Sequence, residues 1–307
     1  RETMRDLTKD FDYDRLVREE KEHFSQIAVT ADLREGGVQA ASAWQRYWDR
    51  QRPAIQASGF ANLGAYLSGV KADVARPIEV LSLGSGYCGH ELTLARGFTR
   101  DYRIHCTDIN EELFAQARAV ARDEKLNVDF SAADINFLNL EPRRYDLIFA
   151  HAVVHHVINL EHLFAQLAEG LAPDGILHLV DVVGKNRKLI WDENEQFANA
   201  LLAQLPAHVT RGVRLAVPEG DDGMEGIRQQ EILAELRKTF TPLFELRHGA
   251  FMRFVCTHPE LGPALGSSGP EAQHCLEFLL DCDDSAVRNG LLRPLEIWGV
   301  YRVASQR

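Results

Sequence analysis

The 307-residue chain contains 45% hydrophobic and 26% charged residues, ordinary globular values that exclude a wholly disordered or low-complexity protein. Its 34 basic and 45 acidic residues give a net charge of −11, opposite in sign to the basic surfaces that bind nucleic acids and anionic membranes. The five cysteines form no C-x-x-C pair, and no apolar run approaches the roughly 18 residues that span a bilayer. We therefore expect a cytoplasmic protein without disulfides and without nucleic-acid or membrane partners.

The first 75 residues predict a helical region with little strand character. Helices are predicted at residues 7–27, 40–51 and 60–70. Trp44, Tyr47 and Trp48 fall at helical spacing on the second of them. Such a stripe most often packs in a core, and its alternative role is a lid over a bound cation. Trp44 and Tyr47 are therefore candidate substrate-contacting residues.

From residue 78 onward, short apolar strands alternate with helices. Strands are predicted at 78–83, 102–108, 127–131, 145–150 and 175–181, and helices at 111–124 and 160–171. This alternation predicts an α/β fold, with a parallel sheet covered by helices on both faces.

The remainder of the chain mixes helices with two further strands. Helical structure is predicted at 184–219, 229–240 and 271–281, strands at 244–256 and 295–303, and a loop at 262–270. We therefore expect a helical N-terminal cap region over residues 1–75. One α/β domain would follow over 76–307, with a helical insertion at about 184–240.

A glycine loop after the first strand carries the strongest chemical signal. Gly84, Gly86 and Gly89 stand where the strand ends and a helix begins, so the backbone can turn sharply and approach a ligand closely. Asp108 ends the next strand, where a carboxylate can accept hydrogen bonds from both ribose hydroxyls. This arrangement fits either a nicotinamide dinucleotide or S-adenosylmethionine.

The chain resembles the class I S-adenosylmethionine-dependent methyltransferases from residue 78 to its end. The match includes Val153-Val-His-His-Val-Ile-Asn-Leu-Glu161, Val183–Arg187, Glu225–Arg228 and residues 281–303, which are similar to segments of bacterial small-molecule methyltransferases. In size and layout the chain also resembles bacterial methionine S-methyltransferases. The resemblance implies a Rossmann-like sheet of parallel strands plus a C-terminal antiparallel hairpin. The implied cofactor is S-adenosylmethionine, with S-adenosylhomocysteine as its product.

The resemblance also assigns cofactor-binding positions. They are Gly84, Ser85 and Gly86 beneath the methionine part, Asp108 and Ile109 at the ribose, Ala133, Asp134 and Ile135 at the adenine, and His151 along the methionine portion. Two positions depart from the family pattern. Ser82 replaces the acid usually found two residues before the first glycine, and Cys88 replaces a frequent loop glycine. Ser82 leaves the cofactor ammonium one negative partner short unless another acid replaces it.

Methyl transfer to a hydroxyl or a protonated amine requires a base, and a thioether acceptor does not. His155 and His156 are the candidate catalytic bases, because histidine titrates near neutral pH. Neighbouring residues do not share a helix face, so we expect only one of them to point at the methyl group. His151 and His155 form an i, i+4 pair without an acid at the metalloprotease spacing, so we expect no metal.

Acceptor binding is predicted from the residues that cover the pocket. Asp181 ends the fifth predicted strand, and Arg187 and Arg228 are candidates to bind a carboxylate or phosphate through two parallel hydrogen bonds. With Trp44 and Tyr47 they complete the predicted substrate site. The extra helical material fits either a lid over the site or a homo-oligomer interface, and the sequence leaves both open.

Three functions compete at this point. The first is methyl transfer to an oxygen, nitrogen or sulfur atom of a small polar metabolite, a thioether such as methionine being the alternative acceptor. The second is an NAD-dependent oxidoreductase, supported only by the glycine spacing. The third is a non-catalytic subunit that binds the cofactor.

Overall fold

A computed structural model describes residues 5–26, 42–220 and 223–304. Their strands form a single sheet of seven in the order β3-β2-β1-β4-β5-β7-β6. The strands are β1 (Ile78–Leu83), β2 (Tyr102–Asp108), β3 (Val128–Ala132), β4 (Tyr145–His151), β5 (Leu171–Val182), β6 (Phe240–His248) and β7 (Glu296–Val303). Strands β1 to β5 pair in parallel, and β7 runs antiparallel between β5 and β6. The predicted fold class, including the C-terminal hairpin, is confirmed.

The centre of the sheet explains where a ligand binds. Strands β1 and β4 are buried along nearly their whole length because helices cover both faces, whereas β3 is partly exposed at the sheet edge. The strand order reverses between β1 and β4, so the connections leaving their carboxyl ends diverge to opposite faces. Open sheets bind ligands in the crevice at such a reversal.

Helices flank the sheet and also form the described parts of the N-terminal region. They are α1 (Tyr13–Gln26), α2 (Ser42–Ala57), α3 (Leu63–Val70), α4 (Gly89–Arg96), α5 (Ala115–Asp123), α6 (Leu160–Gly170), α7 (Asp192–Leu202), α8 (Ala207–Thr210), α9 (Ile232–Thr239), α10 (Met252–Thr257), α11 (Leu261–Leu265) and α12 (Pro270–Arg288). Short 3-10 turns lie at Leu7–Asp10, Glu111–Phe114, Ile135–Phe137, Val154–His156 and Gln229–Glu231. Helix α6 shows the common pattern, because Leu160, Leu163, Phe164 and Leu167 form one buried stripe at helical spacing.

The predicted strand at 244–256 is wrong in its second half. Gly249 adopts φ +69° just after β6, and the chain then turns into α10. The Asp283 carboxylate accepts hydrogen bonds from the N–H groups of Ala250, Phe251 and Met252 at 2.7–2.9 Å. This cap for α10 comes from α12, so no local pattern announces it.

Other boundaries also differ from the predictions. Helix α11 occupies part of the predicted loop at 262–270, and the stretch 184–219 is helical only in α7 and α8. Residue 27 of the first predicted helix and residues 40–41 of the second lie outside the described residues. Among the described residues, no helix is long and apolar enough to cross a membrane. The five cysteines are all free thiols.

Candidate active site

A cavity opens at the carboxyl ends of β1, β2, β3 and β4, next to the glycine loop that follows β1. Seven of the nine predicted cofactor positions line it: Gly84, Gly86, Asp108, Ile109, Ala133, Asp134 and Ile135. Parallel strands bring their carboxyl ends to one edge, so residues from three separate loops meet there.

The two loop glycines serve different purposes. Gly84 and Gly86 adopt φ +53° and +49°, a backbone region that favours glycine. A Cβ on Gly84 would lie 2.1 Å from Val153 Cγ2, so this glycine permits a close approach between two loops of the protein. A Cβ on Gly86 would meet nothing within 4 Å and would enter the space that a ligand needs. Cys88 adopts φ 61° at the start of α4, so the position where the family often has glycine keeps the glycine conformation.

Asp108 is held in place by the loops that it joins. Its Oδ2 accepts a hydrogen bond from Gly86 N, and its Oδ1 accepts one from Asn110 N, both at 2.9 Å. Burial raises the pKa of the Asp108 carboxyl, and these two N–H groups oppose that shift. The carboxylate lines the cavity with lone pairs to spare, as a ribose-binding acid requires.

A buried acid from the next helix contacts Ser82, the position where the family usually has an acid. Ser82 Oγ donates to Glu91 Oε1 at 2.7 Å, and Ser85 Oγ donates to Ser82 Oγ at 3.0 Å. Glu91 lies in the first turn of α4 and is 3% exposed. Burial raises its pKa to about 7, although the Ser82 hydrogen bond opposes the shift. A carboxyl group therefore stands behind Ser82, where sequence analysis found a missing charge.

Helix α1 covers the cavity. The Tyr13 hydroxyl donates to Asp134, with oxygen distances of 2.7 and 2.9 Å, and burial and this carboxylate raise the pKa of Tyr13. At the other end of α1, the Tyr87 hydroxyl donates to the Phe24 carbonyl at 3.0 Å. Glu20 and Phe24 line the cavity from the same helix. Helix α1 therefore lies against the loops that line the cavity, and the lid role predicted for residues 1–75 stays a prediction.

Two adjacent histidines and one glutamate converge beside the cavity. His155 Nδ1 lies 2.6 Å from Asp181 Oδ1, and His156 Nδ1 lies 2.8 Å from Glu20 Oε1. The second contact falls outside the angular range of a hydrogen bond. The Nε2 atoms lie 3.5 Å (His155) and 3.4 Å (His156) from one oxygen, Glu225 Oε2. Of these residues, His156 and Glu20 line the cofactor cavity itself.

The charges in this cluster affect one another strongly. Burial lowers the pKa of His155, but Asp181 and Glu225 outweigh burial and raise it to about 10. Burial raises the pKa of Glu225, but His155, His156 and Arg253 together lower it to about 2. The cluster therefore combines positive and negative groups at short range.

His151 stands apart from this pair. Its ring lies 3.8 Å from the ring of His90, measured between centroids. Burial is the main reason that the pKa of His151 is well below its usual value, and His90 and His178 add to the effect. We expect a neutral imidazole at the end of β4, which suits contact with a positively charged sulfonium.

The predicted substrate residues have varied surroundings. Tyr47 is completely buried, and its hydroxyl bonds to Glu296 and to His248 Nδ1. Trp44 packs against Tyr47 with 5.6 Å between ring centroids, and the Arg253 guanidinium lies 5.6 Å from the Trp44 ring centre. Asp181 is buried behind His155 and accepts hydrogen bonds from two backbone N–H groups of the loop after β4.

The two predicted anion-binding arginines already have partners within the protein. Arg187 Nη1 donates to the carbonyl oxygens of Gly223 at 2.9 Å and Glu225 at 3.5 Å. Arg228 forms paired hydrogen bonds with Glu161 at 2.8 and 2.9 Å and also bonds to Glu231. The donors of Arg228 are therefore largely used internally, and the role of both arginines toward substrate stays a prediction.

Sequence analysis missed five residues that the structure brings to this region: Tyr13, Glu20, Glu91, Glu225 and Arg253. Only Glu225 carried a signal, because it opens one of the segments similar to small-molecule methyltransferases. Arg253 pairs with Glu296 at 2.8 Å and lies in the half of the predicted strand that forms a helix. Its position next to Trp44 therefore required the tertiary structure.

Part of the sequence matches a known protein family. Residues 80–175 match a family whose description is "Methyltransferase domain". They contain the glycine loop, Asp108, Asp134 and both candidate catalytic histidines. No curated protein matches the chain.

Solved structures give weaker similarity. One, from Galdieria sulphuraria, is provisionally described as a sarcosine dimethylglycine methyltransferase (15% identity, 82% of this chain, 87% of that chain, TM-score 0.48). Another is an S-adenosylmethionine-dependent methyltransferase from Mesorhizobium loti (15% identity, 78% of this chain, 97% of that chain, TM-score 0.43). A third is coclaurine N-methyltransferase bound to N-methylheliamine and S-adenosylhomocysteine (14% identity, 78% of this chain, 69% of that chain, TM-score 0.45). At these values the three add nothing to the family match and the cavity.

Proposed function

We propose that this chain, whose residues 80–175 match a methyltransferase domain, is an S-adenosylmethionine-dependent methyltransferase that acts on a small polar metabolite held beside the His155–His156–Glu225 cluster. The observation that carries the proposal is the convergence of these three side chains at the rim of the cofactor cavity. Binding sites for small molecules combine a closed pocket with a few convergent polar groups. The NAD-dependent alternative loses its basis, because the glycine loop lies within the matched methyltransferase domain.

The residues of the cavity fit the cofactor. S-adenosylmethionine supplies an activated methyl group on a sulfonium. Gly86 leaves room for it, Asp108 offers its carboxylate to the ribose, and Glu91 places a carboxyl behind Ser82. Asp134 and the backbone of Ala133 and Ile135 line the predicted adenine end. Glu91 thus supplies a carboxyl group at the position where Ser82 replaces the usual acid.

Helix α1 limits the size of the acceptor. Glu20 and Phe24 close the cavity, and the Phe24 ring lies 5.8 Å from the His156 ring, edge to face. Such closure excludes water and holds the acceptor lone pair about 3 Å from the methyl carbon, an orientation that contributes roughly 7–11 kcal/mol. A macromolecular acceptor would have to displace α1.

The polar character of the cluster favours an oxygen or nitrogen acceptor. Two imidazoles and the carboxylates of Glu20 and Glu225 border the space, and these groups can take hydrogen bonds from or give them to a hydroxyl or an amine. A thioether accepts few hydrogen bonds and would leave these groups unpaired. Thioether methylation, including that of methionine, is therefore the second candidate. The roles of His155 and His156 as bases stay predictions.

The test is transfer from methyl-deuterated S-adenosylmethionine to pooled amino acids, sugars, catechols, small acids and amines, followed by product mass spectrometry. A labelled ether or amine of low mass is the expected result, and a labelled sulfonium would establish the thioether alternative. No labelled small molecule, despite bound cofactor, would overturn the proposal. The control variant His208→Ala should give the same product as the wild type. His208 is an exposed histidine 2.7 Å from Glu271 and away from the cavity.

A further inference from the structure

The His155–His156–Glu225 cluster has the geometry of a metal site. Its three ligand atoms lie within 4.8 Å of one another. Glu225 Oε2 is 3.5 Å from His155 Nε2 and 3.4 Å from His156 Nε2. Ligands about 2.0–2.2 Å from a tetrahedral ion lie roughly 3.3–3.6 Å apart. We propose that these three side chains bind one divalent first-row transition-metal ion.

The second nitrogen of each histidine supports this assignment. His155 Nδ1 is held by Asp181 Oδ1 at 2.6 Å, and His156 Nδ1 faces Glu20 Oε1 at 2.8 Å. Asp181 is itself fixed by the N–H groups of Val153 and Val154 at 3.1 and 2.7 Å. Metal-binding histidines almost always present their other ring nitrogen to a carboxylate, carbonyl or water, because this partner fixes the ring and its tautomer.

Glu225 is also positioned by its neighbours. Arg187 holds the carbonyl oxygens of Gly223 and Glu225, and Glu20 Oε2 accepts a hydrogen bond from Met224 N at 3.2 Å. The loop carrying Glu225 is therefore tied to the helix that faces His156. The Glu225 side chain is 46% exposed, whereas those of His155 and His156 are 7% and 10% exposed. One side of the cluster thus remains open to a further ligand.

Two hydrogen bonds from the histidines to Glu225, without a metal ion, are the competing explanation. Hydrogen bonds between nitrogen and oxygen have lengths of about 2.7–3.2 Å. Both contacts with Glu225 are longer than this, whereas the contact of His155 with Asp181 is short. Two imidazole nitrogens at nearly equal distances from one carboxylate oxygen match the edges of one coordination polyhedron better than two weak hydrogen bonds.

Two imidazoles and one carboxylate suit manganese, iron, cobalt or zinc, and leave coordination positions for substrate. Resting on the proposed function, the ion would bind the acceptor hydroxyl and lower its pKa. The hydroxyl proton leaves to water, the new O–C bond forms as the C–S bond breaks, and S-adenosylhomocysteine departs. The sequence analysis expected no metal because no acid stands at the metalloprotease spacing from His151 and His155, and Glu225 comes from a loop far along the chain.

The test is titration of chelator-treated, full-length protein with Co²⁺ alone, followed by its visible absorption. The wild-type protein should bind one equivalent. Glu225→Gln and His156→Gln should each weaken binding at least tenfold, since loss even of a partner of a ligand costs about 10–100-fold. His208→Ala should bind as the wild type does. Thermal unfolding and S-adenosylhomocysteine binding establish that each variant is folded, and Glu225→Ala offers a second substitution at the exposed position.

Each outcome decides the proposal. No stoichiometric Co²⁺ binding, or binding that both substitutions leave unchanged, overturns the metal site. Methyl transfer at full rate by metal-free protein overturns the role assigned to the ion. Stoichiometric Co²⁺ binding without transfer to any small molecule supports the site while contradicting the proposed function, so the two failures are distinguishable.

Discussion

The proposed cofactor side and the proposed acceptor side of the site are built in different ways. The cofactor side uses the carboxyl ends of neighbouring parallel strands, and its predicted residues fall within positions 84–151 of the matched domain. The acceptor side draws Glu20 from α1, two histidines from the loop after β4 and Glu225 from the insertion. The residues of the first side follow successive parallel strands, so local strand–turn–helix units place them. The second exists only after distant segments pack together.

The largest expected effect separates the two loop glycines. Gly84→Ala should lower the free energy of unfolding by about 2–5 kcal/mol, through left-handed strain of about 1–2 kcal/mol and overpacking of about 1–3 kcal/mol against Val153. Gly86→Ala has the same strain without the clash, but its Cβ should weaken S-adenosylhomocysteine binding. Urea unfolding and calorimetric titration measure both quantities. Equal stability losses would contradict the different roles assigned to the two positions.

Glu91 tests the part of the cofactor side that the motif lacked. Its pKa is about 7 in the folded protein against 4.5 in the unfolded chain, so the folded state keeps a proton that the unfolded state releases. Its contribution to the free energy of unfolding should therefore fall by about 2–3 kcal/mol as pH rises from 4.5 to 7. Denaturation of the wild type and Glu91→Gln across this range checks it. The two curves would run parallel if Glu91 ionised normally.

Asp108 tests the ribose contact directly. Asp108→Asn keeps the shape of the side chain but removes its charge, and should weaken S-adenosylhomocysteine binding about 10–100-fold, since charge-assisted hydrogen bonds contribute about 1.5–3 kcal/mol. Asp129→Ala is the control, because its side chain is 64% exposed on the neighbouring strand. Similar losses in both variants would mean that general acidity, and not the ribose contact, holds the cofactor.

Tyr47 tests how much of α2 serves the acceptor side. Tyr47→Phe removes a hydroxyl that bonds to Glu296 and His248 in the core, and should lower the free energy of unfolding by about 1–3 kcal/mol. We expect the acceptor KM to stay within about twofold, because the hydroxyl is fully buried. A raised KM with unchanged stability would instead restore the substrate-binding role predicted from the helical stripe.

Tyr13 should give the smallest effect. Its hydroxyl occupies both oxygens of Asp134, the carboxylate predicted to meet the adenine amino group. Tyr13→Phe frees this acceptor, so S-adenosylhomocysteine affinity should rise about two- to fivefold, in line with one net hydrogen bond. Calorimetric titration measures the change. A fall in affinity would show that Tyr13 shares Asp134 with the adenine and does not compete for it.

The sequence by itself predicted the parallel strands, most of the helices against them and the glycine and acid positions that line the cavity. Strands β1 and β2 have the predicted bounds, because short apolar runs between turn signals leave few alternatives. Gly84, Gly86 and Asp108 were identifiable because their spacing follows from one strand–turn–helix unit. The start of α10 was not identifiable, since Asp283 caps it from α12.

Only the tertiary structure decided which side chains meet at the acceptor side. Arg228 is an anion-binding candidate by its sequence context, yet its guanidinium pairs with Glu161 and Glu231. Glu225 opens a segment similar to small-molecule methyltransferases, but only the tertiary structure shows that it lies against both histidines. A local pattern carries information about neighbours along the chain. Contacts between α1, the loop after β4 and the insertion depend instead on how the separate elements pack, which no single segment encodes.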